Sequence, residues 1–281
     1  MIEPKAFLVW TGGKASIKKL IIGHFPFECN TYYEPFLGGG SIFFQLAFEQ
    51  RFKKAVISDW NGELINMYLM VKNSVDKLVS RLYEMKDEFE TNPRITYNKY
   101  RAMRIACISE LDAAARTIFL NATAFNHIYV VNAEGQFNAA FGMAKFASMI
   151  CKEELLYTCS EALNKNVTIL HGDFERTTKE VNKNDFVYLD PPYYPLSATS
   201  SFDGYRSGGF ELKEHWRVSE VFKSLAYREI GIIQSNTDCE FIREEYSEYK
   251  IVKIPVQRRV NCHRGEPRQY IFESLISGEK I

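Results

Sequence analysis

The stretch TYYEPFLGGGS, residues 31–41, decides the fold. A strand-like run over 31–36 is followed directly by Gly38, Gly39 and Gly40, and then by a helical pattern over 41–50. Glycine tolerates positive φ and lets a ligand approach the backbone closely, so these residues suit a ligand-binding turn between a strand and a helix. A tight turn without a ligand is the alternative interpretation of the glycines alone.

Strand-like runs and helical patterns alternate on both sides of this unit. The strand-like runs cover 31–36, 54–59, 167–173, 185–190, 230–236 and 249–256. The helical patterns between several of them cover 41–50, 62–72, 151–163 and 212–226. Such alternation predicts an α/β domain with a mainly parallel sheet.

The alternation stops between the second and third strands for about a hundred residues. This region has helical patterns over 75–90, 94–107 and 109–124, followed by a polar loop over 131–142. Because it has no strand series of its own, we predict a helical insertion, 73–149, within an α/β domain formed by 1–72 and 150–281.

The composition is that of an ordinary globular protein, with 281 residues, 46% of them hydrophobic and 25% charged. It excludes disordered, collagen-like and disulfide-framework chains. The 35 basic and 35 acidic residues cancel, so a nucleic-acid site must come from local clustering. The six cysteines form no C-x-x-C pair, and no apolar stretch approaches ~20 residues. We therefore expect a cytosolic protein with reduced thiols, no metal site and no membrane contact.

An acid follows the second strand. Asp59 lies nearly twenty residues past Gly40, where a doubly wound sheet places an acceptor for ribose hydroxyls. The glycine turn itself matches neither the G-x-G-x-x-G of dinucleotide binders nor a P-loop. With Asp59, a ribose-bearing ligand becomes the better interpretation of the turn.

The tetrapeptide Asp190-Pro191-Pro192-Tyr193 follows directly on the strand FVYL. The prolines are rigid and lack N–H groups, so the Pro191 carbonyl is held beside Asp190 and Tyr193 presents a flat face. Two acceptors and an aromatic platform suit a planar group that carries an amine, such as a nucleobase. A proline-rich turn with Tyr193 as plain packing is the alternative.

Five motifs, taken in order, resemble those of the Dam-type DNA adenine-N6 methyltransferases of the alpha class: Trp10–Lys14, Glu34–Gly40, Asp59 with Asn61, Gln136–Asn138 before Phe141-Gly142, and Asp190–Tyr193. The resemblance covers nearly the whole chain. It implies the Rossmann-like, mainly parallel sheet of class I S-adenosylmethionine methyltransferases, with a helical DNA-recognition insertion.

The resemblance also assigns cofactor-binding and catalytic roles to individual residues. The S-adenosylmethionine site would be lined by Trp10, Lys14, Glu34, Phe36, Gly38, Asp59, Asp173, Phe174 and Asp190. The catalytic residues would be Asp190, Pro191, Pro192 and Tyr193, which receive the target base. Accepting both amine hydrogens at Asp190 and the Pro191 carbonyl makes the N6 lone pair available for methyl transfer without a covalent enzyme intermediate. The base must first be flipped out of the duplex, at a cost of roughly a few kcal/mol.

The resemblance places DNA contacts in two further segments. Phe125, Asn126 and Ile128 correspond to a hairpin that wedges into the duplex; a core pair of Phe125 with Tyr129 is the alternative. Arg258, Arg259 and Arg264 belong to a basic stretch over 250–268 that suits phosphate contacts. Further basic residues that could contact phosphate are Lys99, Arg101, Arg104 and Arg116. Solvated charged faces are the alternative for both groups.

Several positions depart from the members of the family that methylate GATC. Val9 and Val130 replace a Lys and an Arg, His127 replaces a Gly, and Met143 replaces an Arg. Lys and Arg read guanine by donating to its O6 and N7, and valine cannot donate. We therefore expect a relaxed or altered short site in which GATC is not strongly preferred.

The leading hypothesis is an S-adenosylmethionine-dependent adenine-N6 methyltransferase of double-stranded DNA, from a bacterial, phage or viral context, with no obligate protein partner. Two alternatives stay open at this point. One is the same chemistry on cytosine N4 or on an RNA adenine, and the other is a non-catalytic protein that binds DNA or the cofactor.

Overall fold

The computed structural model describes residues 2–132, 134–143, 147–195, 210–257 and 270–281. Its strands are β1 (Cys29–Glu34), β2 (Phe52–Asp59), β3 (Val167–His171), β4 (Phe186–Leu189), β5 (Gly231–Thr237), β6 (Tyr249–Gln257) and β7 (Tyr270–Lys280). Within these residues they form one seven-stranded sheet with the order β3-β2-β1-β4-β5-β7-β6. The first five strands of that order run parallel, and β7 pairs antiparallel with β5 and β6. The predicted mainly parallel α/β fold is confirmed.

The strand β7 has no counterpart among the six predicted strands. Its second half contains Ser277 and Gly278, which are weak strand formers, and this obscures the period of the strand. The glycine has a packing reason, because a Cβ at Gly278 would lie 2.7 Å from the Cγ2 atom of Ile232 on β5. The interior position of β7, between β5 and β6, therefore depends on a residue that lowers its strand signal.

The helices are α1 (Lys18–Ile22), α2 (Ser41–Phe48), α3 (Gly62–Asn73), α4 (Val75–Thr91), α5 (Pro93–Ala102), α6 (Glu110–Thr123), α7 (Ala147–Ile150), α8 (Glu153–Leu163), α9 (Phe174–Thr178), α10 (Leu212–Tyr227) and α11 (Glu240–Glu245). Short 3-10 turns cover Ile105–Cys107 and Phe125–His127. The predicted helix over 94–107 is wrong at its end, because Met103 and Arg104 are extended. Four of the helices, α1, α7, α9 and α11, have six residues or fewer and are too short to show a helical period.

Side-chain caps define where several helices begin. The Asn61 side chain accepts hydrogen bonds from the amides of Glu63 and Leu64 at the start of α3. Ser109 caps α6 in the same way through the Asp112 amide. Caps of this kind are worth about 1 kcal/mol each, so they fix the register of the helices that carry the site.

One hydrophobic core joins the insertion helices to a face of the sheet. It includes Phe43 and Phe44 of α2, Tyr68 of α3, and Phe89 and Phe119 of α4 and α6. Every residue of α6 from Ala113 to Thr123 is buried. A second core lies on the other face, against α10 and α11. The turn that follows α6 is therefore carried by a helix fixed on all sides.

The described residues hold no helix long and apolar enough to cross a membrane. They also hold no group of three or more His, Cys, Asp or Glu side chains that could bind a metal ion. The five cysteines among them are free.

Candidate active site

The loops after β1, β2, β3 and β4 meet at one edge of the sheet. The order of the strands changes direction between β1 and β4, and open α/β sheets bind ligands outside such a point. Pro35 follows the end of β1, and Pro191 and Pro192 lie just beyond the end of β4; proline cannot donate to the ladder. A cavity of about 340 Å³ opens where these loops converge.

The cavity is lined by predicted residues from five segments that are far apart in the sequence. The predicted cofactor residues that line it are Trp10, Lys14, Glu34, Phe36, Gly38, Asp59, Asp173, Phe174 and Asp190. The remaining members of the predicted catalytic tetrapeptide, Pro191, Pro192 and Tyr193, line the same cavity.

The glycine turn is tightly packed. Gly38 and Gly40 have φ of +50° and +68°, backbone angles that residues with a side chain rarely adopt. A Cβ at Gly40 would lie 2.8 Å from the Tyr68 hydroxyl, which itself donates a hydrogen bond to the Gly38 carbonyl at 3.0 Å. The turn therefore requires glycine for both its conformation and its packing.

Asp59 holds this turn in place. Its Oδ2 accepts from the Gly38 amide at 3.0 Å, and its Oδ1 accepts from the Asn61 amide at 2.9 Å. Burial raises the pKa of Asp59, and these amide hydrogen bonds oppose the rise. Because a carboxylate offers about four lone-pair sites, Asp59 keeps acceptor capacity for hydroxyl groups in the cavity.

An aromatic surface lines one part of the cavity. The rings of Phe36 and Phe174 have centroids 5.2 Å apart. Beside them, Asp173 caps α9 through the Glu175 amide and pairs with Arg217 at 2.8 Å. The Arg217 guanidinium also lies 4.9 Å from the Phe174 ring centroid. The surface is apolar with an acidic rim, and Arg217, which sequence reasoning missed, contacts both the Phe174 ring and Asp173.

A buried ion pair forms the floor of the cavity. The Lys14 ammonium lies 2.8 Å from the Oδ1 atom of Asp190, donates to the Gly12 carbonyl at 2.7 Å, and lies 4.6 Å from the Tyr193 ring centroid. Lys14 is 4% exposed and Asp190 is 17% exposed. Burial raises the pKa of Asp190 to about 6, and the charge of Lys14 opposes the rise. Asp190 is therefore a carboxylate at neutral pH, held by one oxygen.

The segment after Asp190 is anchored by two strands. The Tyr193 hydroxyl donates to Glu273 of β7 at 2.5 Å. The Tyr194 amide donates to the Asn236 side chain at 3.0 Å, and the Thr237 hydroxyl donates to the Tyr194 carbonyl at 2.8 Å. Sequence reasoning missed all three anchors. Asn236 at the end of the predicted strand 230–236 and Thr237 directly after it were the available signal for two of them, whereas Glu273 could not be placed without β7.

Glu34 lies beneath the floor. It is buried and accepts a hydrogen bond from the Tyr32 hydroxyl at 2.8 Å. Burial raises the pKa of Glu34 to about 8, so the group is mostly protonated at neutral pH. Glu34 lines the cavity, and its bond to Tyr32 ties it to the interior of β1.

The turn after α6 projects into solvent. Phe125 is 54% exposed, so it is not a member of the core, whereas Tyr129 is buried and packs against Trp10 with ring centroids 5.0 Å apart. Asn126 and His127 both have positive φ. Antiparallel bridges at Ala124–Phe141 and Val131–Phe137 connect this turn to the predicted polar loop as a hairpin, with Ile128 half-buried on its near arm.

The basic residues divide into different classes. Arg116 does not face DNA: it is 2% exposed and donates to the carbonyls of Tyr100 and Arg101 at the end of α5. The interpretation of Arg116 as a phosphate contact was wrong, because its guanidinium is buried inside the insertion and bonded to backbone carbonyls. The side chains of Lys99, Lys250 and Lys253 pair with Glu88, Glu279 and Asp238. Arg258, Arg259 and Arg264 lie outside the described residues.

Comparison with known proteins gives one family and several full-length relatives. Residues 10–260 match the family model of D12 class N6 adenine-specific DNA methyltransferases. The chain is 37% identical to the Type II methyltransferase M1.LlaDCHI of Lactococcus lactis subsp. cremoris, over 98% of this chain and 96% of that protein. It is 37% identical to the Type II methyltransferase M.MjaIII of Methanocaldococcus jannaschii, over 98% and 99%. It is 31% identical to the DNA adenine methylase of Haemophilus influenzae, over 92% and 89%.

Proposed function

The chain belongs to the D12 class of N6 adenine-specific DNA methyltransferases, and from this premise we propose which of its residues carry the reaction. The enzyme methylates adenine N6 in DNA. We propose that the cavity at the β1/β4 edge receives both S-adenosylmethionine and the target adenine, and that the adenine is flipped out of double-stranded DNA. The observation that carries the proposal is the floor, where Lys14, Asp190 and Tyr193 form one cluster.

The end of the cavity near Gly38 fits the cofactor. Asp59 has acceptor capacity for ribose hydroxyls, and the aromatic surface formed by Phe36 and Phe174 suits stacking of a flat purine ring. Asp173 at the rim offers an acceptor for an amine. When bound, S-adenosylmethionine supplies an electrophilic methyl group. The methyl group leaves the sulfonium as the thioether forms, and N6 loses one proton. The protein then needs to orient the acceptor nitrogen, to exclude water and to accept that proton, for which the Asp190 carboxylate is available.

The floor fits the target base. Lys14 engages Oδ1 of Asp190, and no hydrogen bond to Oδ2 is found within the described residues, so Oδ2 can accept one hydrogen of the adenine amine. The Pro191 carbonyl accepts the other, and the Tyr193 ring supplies a stacking face. Accepting both hydrogens draws the N6 lone pair out of conjugation with the ring. Lys14 keeps Asp190 in the carboxylate form that this role requires.

Recognition of DNA falls to the insertion. We assign 1–72 and 150–281 to the catalytic α/β domain and 73–149 to target recognition. Phe125 is exposed on a turn fixed to the buried helix α6, which suits a ring that enters the duplex and fills the space left by the flipped base. Asn126 and Ile128 flank that ring. Arg258, Arg259 and Arg264 are proposed phosphate contacts on the strength of their sequence positions alone.

The test is transfer of a labelled methyl group from S-adenosylmethionine to duplex DNA, followed by digestion to nucleosides and mass identification. We expect N6-methyladenine, with a much lower rate on single-stranded DNA of the same sequence. N4-methylcytosine as the product would overturn the assignment of the floor to adenine. Equal rates on both forms of DNA would contradict the proposed preference for a double-stranded substrate.

A further inference from the structure

Asn121 joins two segments that are distant in the sequence. Its side-chain oxygen accepts from the Val9 amide at 3.0 Å, and its side-chain nitrogen donates to the Val9 carbonyl at 2.8 Å. The same nitrogen donates to the His127 carbonyl at 3.1 Å. The side chain therefore pairs with the Val9 backbone as a strand would, while it also holds the turn after α6.

Each of the two segments leads to a different part of the molecule. Val9 immediately precedes Trp10, which lines the cavity. His127 ends the turn that carries the exposed Phe125. The His127 ring also contacts the backbone carbonyl of Asn121 at 3.1 Å, so the turn is fastened to this residue twice.

The turn needs such a fastening. Asn126 and His127 are consecutive residues with φ of +54° and +56°, a left-handed conformation that is strained for residues other than glycine. A turn under that strain keeps its shape only when its surroundings determine it. Asn121 is 3% exposed and sits on a helix buried along the same stretch, so it supplies a rigid point of attachment.

We propose that Asn121 is a positioning residue that sets the distance between the cavity wall at Val9–Trp10 and the DNA-facing turn Phe125–His127. It touches neither DNA nor cofactor, and it acts by placing the Phe125 ring relative to the base pocket. This inference rests on the proposed function, because it takes the turn to enter DNA. It makes Asn121 a determinant of base flipping rather than of methyl transfer.

The informative variant is Asn121→Asp, which keeps the shape of the side chain and removes the two donated hydrogen bonds. A carboxylate there would face the carbonyls of Val9 and His127 and repel both. Asn121→Ala is the second variant, which removes the attachment without adding charge. The matched control is Thr123→Val: Thr123 is also buried on α6, and its hydroxyl donates within the helix to the Phe119 carbonyl.

The measurements separate positioning from general stability. We expect the KM for duplex DNA to rise about tenfold or more in both Asn121 variants, on the scale of a lost buried hydrogen-bond partner. Fluorescence of 2-aminopurine at the target position, which reports unstacking, should fall in the same variants. The dissociation constant for S-adenosylmethionine should stay within about twofold of wild type, as should both DNA readouts in Thr123→Val.

Three results would overturn the proposal. The first is an unchanged KM for DNA in folded Asn121 variants. The second is a parallel loss of cofactor affinity and DNA affinity that tracks the melting temperature. The third is failure of both variants to fold, which would assign Asn121 to the core alone. Failure of the proposed function is distinguishable, because it would appear in the wild-type protein as the absence of N6-methyladenine.

Discussion

Lys14 at the floor of the cavity is 4% exposed, whereas Phe125 on the turn after α6 is 54% exposed, although both are proposed to serve one target adenine, Lys14 by holding Asp190 and Phe125 by filling the space that the adenine leaves. The floor is held by side chains: Lys14 pairs with Asp190, and Tyr193 bonds to Glu273. The turn is held through its backbone, while its outermost side chains face solvent. We therefore expect substitution of those side chains to leave the fold intact. The proposed catalytic residues are therefore part of the packed interior, whereas the proposed DNA-recognition side chains lie on its surface.

The largest effect should come from removing the Asp190 carboxylate at the floor of the cavity. We expect Asp190→Ala to lower the rate of methyl transfer by ~10²–10⁴-fold, because the acceptor of the amine hydrogen is lost. Single-turnover transfer to saturating duplex DNA measures this directly. Binding of DNA should change far less, and full activity in Asp190→Ala would contradict the mechanism.

The second-largest effect concerns selection of guanine by the residues at positions 9 and 130. We expect Val9→Lys with Val130→Arg to favour guanine at the corresponding positions by about 1–3 kcal/mol each, or roughly two orders of magnitude together. Val9 is exposed and Val130 is half-buried beside the hairpin. Mapping of methyladenine in plasmid DNA by single-molecule sequencing would show the change. Strict GATC methylation by the wild-type protein would mean that its guanine readers lie at other residues.

The floor was more open to prediction from the sequence than the turn, for a physical reason. Asp190 and Asp59 follow strands in a parallel sheet, and the carboxyl ends of such strands meet at one edge whatever the side-chain details. Glu273 could not be placed, because its strand contains weak strand formers and pairs out of sequence order. Charge alone misled at Arg116, since a run of basic residues does not reveal which one is buried.

The third effect separates recognition from stability by matched substitutions on one helix and its turn. Phe125→Ala should weaken flipped-base binding by about 1–3 kcal/mol, the scale of one base–aromatic stack, with little change in melting temperature. Phe119→Ala, at a fully buried position on α6, should do the opposite and cost about 3–5 kcal/mol of stability. Melting curves and DNA titrations on both variants test the pair. Equal destabilisation by the two substitutions would show that Phe125 belongs to the core in solution.

The smallest effect concerns the charge on the floor. Asp190 accepts hydrogen bonds as a carboxylate, and burial raises its pKa to about 6, so activity should fall as pH drops through this value. Because Lys14 favours the charged form, Lys14→Met should raise the pKa of Asp190 and move the acid limb of the kcat/KM profile to higher pH. Lys14→Arg keeps the positive charge and should leave the limb near its original position. The loss in Lys14→Met should therefore be larger below neutral pH than above it. An acid limb that stays in place in Lys14→Met would mean that another group titrates and that the Lys14–Asp190 ion pair does not control the pH dependence of the reaction.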